Sequence, residues 1–91
     1  MATLLVCAYP ESGITMVVMD GYGSGETNEL HRSHGFLSDF AQKAPELVAE
    51  HGVTDVVLYG RPHDYVAKLE EYLAESVPEA KVRICDAHMG F

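Results

Sequence analysis

Val53 to Cys85 reads VTDVVLYGRPHDYVAKLEEYLAESVPEAKVRIC, and this stretch decides the fold. VTDVVLY is rich in β-branched residues and closes at Gly60, the pattern of an interior strand. Pro62 then suits the first turn of a helix, where its missing amide costs little, and Asp64 adds a favourable negative charge near that terminus. Val66, Leu69, Leu73 and Val77 recur at helical spacing, so one stripe faces a core, with Tyr65 and Tyr72 beside it. Pro78 ends the helix, and VRIC from Val82 to Cys85 supplies the next strand. Strand, helix and strand in this order predict a parallel pair covered by the helix.

Towards the amino terminus, Phe36, Leu37, Phe40, Ala44, Leu47 and Val48 form a second helical stripe, and His51-Gly52 provides its stop. Pro45 conflicts with that stripe, because it removes an amide bond and crowds the carbonyl of Ala41. The expectation is one kinked helix from about Gly35 to Glu50, or two shorter pieces with Pro45 near the start of the second. TLLVCAY from Thr3 and ITMVVMD from Ile14 flank the turn Pro10 to Gly13, which predicts a β-hairpin. Their nearly continuous apolar character calls for cover on both faces, or for a sheet continued through another subunit. The connection from Gly21 to Leu30, GYGSGETNEL, lacks both GxGxxG spacing and a P-loop lysine, so it reads as a turn, an irregular edge strand or a lid. A short strand within it would give a three-stranded antiparallel beginning. The predicted class is α/β, a small mixed sheet with an N-terminal β-hairpin followed by α-β-α-β, in a single domain spanning residues 1–91.

A chain of 91 residues that is 47% apolar builds one modest core and is not a disordered tail. Fourteen Asp and Glu against six Lys and Arg give a formal charge of −8, and no basic run interrupts the sequence. Generic nucleic-acid binding is therefore disfavoured on composition, with solubility the ordinary role of such a charge. Cys7 and Cys85 form no CxxC pair and read as buried thiols, bridged only if their strands are neighbours. Without a basic leader or a long apolar run, the expectation is a cytoplasmic protein with no membrane partner.

Two polar clusters are candidates for chemistry. Were His31-Arg32-Ser33-His34 helical, His31 and His34 would be neighbours and could present two imidazoles to one metal ion, although exposed helix-start residues are the plainer reading. Arg61, His63 and Asp64 follow one predicted parallel strand, and Asp86 and His88 follow the other, where strand ends face a common crevice. There Arg61 would stabilise phosphoryl oxygens, His63 or His88 would transfer a proton, and Asp64 and Asp86 would bind Mg²⁺ or orient an imidazole. The ordinary alternative pairs Arg61 locally and leaves the histidines solvated.

The order of elements around GYGSGETNEL, before the long helix, and EHGVTDVVLYGRP, before the second helix, resembles a shortened ribonuclease H-like fold. The resemblance covers most of the chain as topology. A nuclease of that family places an acidic residue in its first strand, and TLLVCAY contains none; Glu29, Asp64 and Asp86 resemble the later acidic positions.

The leading functional expectation is a noncatalytic protein-binding or regulatory domain, engaging a protein partner through a sheet edge or its acidic surface, with homodimerisation as one route. The alternative is a metal-assisted hydrolase acting on a phosphoester, using Mg²⁺ or Zn²⁺ at the strand-end cluster.

Overall fold

The computed structural model describes residues 2–21 and 27–85. In chain order the elements are β1 (Ala2–Tyr9), β2 (Gly13–Asp20), β3 (Asn28–Gly35), α1 (Leu37–His51), β4 (Val53–Gly60), α2 (His63–Ser76) and β5 (Lys81–Ile84). The strands form one mixed sheet in the order β3-β2-β1-β4-β5. β1 pairs antiparallel with β2, and β2 with β3, whereas β1 and β4 run parallel, as do β4 and β5. Val56 faces Val82 and Leu58 faces Ile84 in the last pair, the arrangement that the strand-helix-strand pattern predicts.

Alternation along the strands divides the sheet into two faces. Leu4, Val6, Ile14, Met16, Val56 and Leu58 join Phe40, Leu47, Leu69 and Leu73 of the helices in one buried cluster. The other face carries Thr3, Leu5 and Cys7 of β1, Thr15 and Val17 of β2, and Val57 and Tyr59 of β4, and no described helix packs against it. The near-continuous apolar runs of β1 and β2 thus serve two faces, only one of which the described helices cover.

The segment Asn28–Gly35 is a full strand, not the expected helix start. NELHRSHG offers no apolar alternation of its own; its backbone is ordered by the ladder to β2, from Asp20–Asn28 to Ile14–Gly35. A polar, charged strand at the edge of a sheet also resists unwanted pairing with other chains. The glycine-rich part of the connection, Tyr22 to Glu26, lies outside the described residues.

Pro45 sits inside α1, which is continuous from Leu37 to His51 and not split in two. Asp39 accepts the Phe36 amide at 2.9 Å at one end, and Gly52, at φ 61°, donates to the Val48 carbonyl at the other. Pro45 leaves the carbonyl of Ala41 without its helical donor, and the Tyr72 hydroxyl of α2 donates to that oxygen at 2.5 Å. A defect in one helix is thereby turned into a bond between the two. Tyr72→Phe is expected to lower stability in urea unfolding by about 1 kcal/mol, the net value of such a bond. In a Pro45→Ala background the same change should cost clearly less, because the restored amide satisfies Ala41; equal losses in both backgrounds would contradict this role.

Candidate functional site

The parallel strands β1 and β4 end side by side, with Cys7 opposite Tyr59 and Ala8 opposite Gly60. Beyond them the chain turns twice. Pro10, Glu11 and Ser12 connect β1 to β2, and Arg61-Pro62 leads from β4 into α2. Gly60 makes the close approach possible: at φ +139° it has no Cβ, and one placed there would stand 1.9 Å from the Ala8 carbonyl oxygen. The Arg61 amide donates to that same oxygen at 3.3 Å. Pro62 caps α2, and its carbonyl accepts the amides of Tyr65 and Val66.

The two turns enclose a crevice of about 420 Å³ lined by Tyr9, Pro10, Glu11, Ser12, Arg61 and Pro62. One guanidinium, one carboxylate, one hydroxyl and a phenol ring therefore share a space walled by two prolines. Arg61 is the member of the strand-end cluster that lines it. His63 and Asp64 stand next along the chain, exposed in the first turn of α2. Cys85 donates its amide to the Leu58 carbonyl at 2.8 Å, so β5 ends beside β4, while Asp86 and His88 lie outside the described residues. The sequence pattern did not bring Tyr9, Glu11 and Ser12 together with Arg61, because β1 reads as half of a hairpin. Its second neighbour, β4, is set by sheet order.

His31 and His34 are three residues apart on a strand and therefore point to opposite faces. His31 lies on the helical side, its ring 6.4 Å from that of His51, and its Nε2 is buried with no hydrogen-bond partner. His34 lies on the other side, with Nδ1 2.9 Å from the Thr15 hydroxyl. Strand geometry, in place of the helical spacing considered above, keeps the two imidazoles from sharing an ion. Among the described residues no three His, Cys, Asp or Glu side chains converge as a metal site. The expected disulfide option also closes: β1 and β5 flank β4 without touching in the sheet order, and both cysteines are free thiols.

Charge is segregated between the two layers. Seven of the 14 carboxylates lie on α1 and α2, against only Lys43 and Lys68. Arg32, Lys81 and Arg83 pair in register with Val17, Asp55 and Val57 on the face away from the helices, and Arg61 stands at its carboxyl end. Arg32 is bound by Glu29, Nη2 to Oε1, at 2.7 Å, and this pairing holds the Glu29 carboxyl below its usual value. Burial pushes the Cys7 thiol above its usual value, and the charge of Arg32 on the same face offsets part of that rise. Alkylation of Cys7 by iodoacetamide, followed by peptide mass mapping, should titrate above the ordinary thiol value and move higher still in Arg32→Gln. A midpoint unmoved by that substitution would contradict the shared face.

No family model and no curated protein matches the chain. Solved structures do. A Thermus thermophilus RuvC structure superposes with a TM-score of 0.71 at 10% identity, over 93% of this chain and 63% of that one. The Holliday junction resolvase of fowlpox virus superposes with a TM-score of 0.66 at 9% identity, over 93% of this chain and 60% of that one. The fold is thus ribonuclease H-like, as the order of elements predicts, and the chain spans about three-fifths of the length of the structures it resembles.

Two expectations are corrected by this result. The noncatalytic protein-binding or regulatory reading is not supported, since the structures the fold superposes on are a RuvC and a Holliday junction resolvase. The expectation that generic nucleic-acid binding is disfavoured falls with it. Its physical error lies in the net charge: a total of −8 says nothing of where the charges sit, and the helices hold half of the carboxylates.

Proposed function

We propose that the chain acts on a phosphoester of a nucleic acid at the crevice between the ends of β1 and β4. The observation that carries this reading is the placing of Arg61 in one crevice with Tyr9, Glu11 and Ser12, at the carboxyl ends of adjacent parallel strands. Open α/β sheets bind ligands in that position. The fold's likeness to a Holliday junction resolvase supports nucleic acid as the substrate class.

Hydrolysis of a phosphodiester forms a bond from a water oxygen to phosphorus and breaks the bond to the leaving sugar oxygen, which takes up a proton. Negative charge gathers on the nonbridging oxygens as this happens. The guanidinium of Arg61 has the donor geometry to hold two of those oxygens at once. His63, two residues on in the first turn of α2, is the described imidazole nearest in sequence to supply the proton. Glu11 is the carboxylate that lines the crevice, and Asp64 follows at the helix start. Asp86 and His88 complete the candidate set as the residues that follow β5 in sequence.

The described residues do not fit a resident metal pair. No carboxylate occurs from Ala2 to Tyr9 along β1, and no three potential ligands converge.

Cleavage of a labelled four-way branched oligonucleotide, followed on denaturing gels with and without Mg²⁺, tests the proposal. The protein is expected to cut it, and Arg61→Gln to lower kcat by about 100-fold, the usual effect of removing a donor to transition-state charge. Branched, duplex and single-stranded oligonucleotides all left intact under both conditions would overturn it.

A further inference from the structure

The face of the sheet turned away from the helices leads directly out of the crevice. Tyr9, which lines the crevice, is opposite Gly13, and Gly13 has no side chain to block the neighbouring strand: a Cβ there would lie 2.9 Å from Nε2 of His34. His34 thus reaches to the edge of the turn. Behind it the register sets two rows across β3, β2 and β1, namely His34–Thr15–Cys7 and Arg32–Val17–Leu5. Val17 is buried, Leu5, Cys7 and Thr15 are half-buried, and Arg32 is exposed over 61% of its side chain. This gives a partly apolar floor with one guanidinium at the crevice, Arg61, and another at the far edge, Arg32.

We propose that an unpaired nucleic-acid strand leaves the crevice across the open face of β1, β2 and β3, and that Arg32 is its outer phosphate contact. This rests on the reading of the crevice as a nucleic-acid site. Charge decides the class of occupant: the helical layer holds half of the carboxylates against Lys43 and Lys68, whereas this face sets Arg32, Lys81 and Arg83 against Glu29 and Asp55 and is the less repulsive to phosphate. The floor decides between single and double strands. Unpaired bases can lay apolar faces on Leu5 and Cys7, whereas a duplex keeps its base faces stacked inside and offers mainly phosphate and sugar to such a surface. Glu29 engages Nε and Nη2 of Arg32 and fixes the guanidinium at the edge of the sheet. From β1 to β3 the path crosses two strand intervals, about 10 Å.

The test uses a fluorescein-labelled twelve-nucleotide oligothymidylate and its duplex with oligoadenylate, with anisotropy read over a range of salt concentrations. Arg83→Gln is the control of equal charge, because Arg83 shares the face but lies on β5, at the edge of the sheet opposite β3 and off the path. The single strand should bind more tightly than the duplex. Arg32→Gln should weaken it at least fivefold and reduce the salt slope by about 0.7, the value of one single-strand phosphate contact. Arg83→Gln should leave binding within twofold, and bound oligonucleotide should slow alkylation of Cys7.

Equal weakening by Arg32→Gln and Arg83→Gln would reveal general electrostatics and overturn the path. So would a duplex bound as tightly as the single strand, or a face occupied by a second copy, seen as a dimer in sedimentation that Arg32→Gln dissociates. If Arg32→Gln has no effect while Arg61→Gln abolishes binding, the path fails and the crevice stands. If the unmodified protein binds neither oligonucleotide, both fail.

Discussion

The parallel pairing of β1 with β4 is the constraint on which the rest of the structure depends. It places the first strand of the chain beside a strand that begins more than forty residues later, and it brings two unrelated turns to one end of the sheet. Gly60 is the local device that permits it, since any side chain there would meet the Ala8 carbonyl. The pairing also divides labour: everything antiparallel, β1 to β3, lies on one side of this junction, and the β4-α2-β5 unit on the other. The crevice lies at the end of that junction and takes residues from both halves.

Two further contacts keep the helical layer in step with the sheet. The Tyr72 hydroxyl takes the carbonyl that Pro45 frees in α1, linking the two helices at the site of a local defect. Phe40 and Leu73, both essentially buried, join the same cluster as Leu4 and Leu58, so the helices and the central strands share one core. With that core on one side, the opposite face is left to carry the arginines and the half-buried floor.

Much of this is legible in the sequence wherever apolar spacing carries the signal. The parallel pair β4 and β5 and the β1-β2 hairpin follow from apolar runs closed by Gly60, Pro10 and Gly13. The two helices follow from stripes at three- and four-residue intervals. β3 is illegible on the same criterion, because NELHRSHG is a polar edge strand ordered by its neighbour. That one difference sends His31 and His34 to opposite faces. Arg61 is readable as a strand-end residue, but Tyr9, Glu11 and Ser12 become its neighbours only through sheet order. The total charge misled for a related reason: composition counts charges, whereas recognition depends on which layer bears them.

The most direct measurement of the account is the set of backbone nuclear Overhauser contacts between β1 and β4 in solution. The structure predicts a parallel ladder in which Leu5 pairs with Val57 and Cys7 with Tyr59, with the Arg61 amide protected from exchange by the Ala8 carbonyl. Contacts joining β1 to β5, or an antiparallel pattern between β1 and β4, would separate the two turns and remove the crevice.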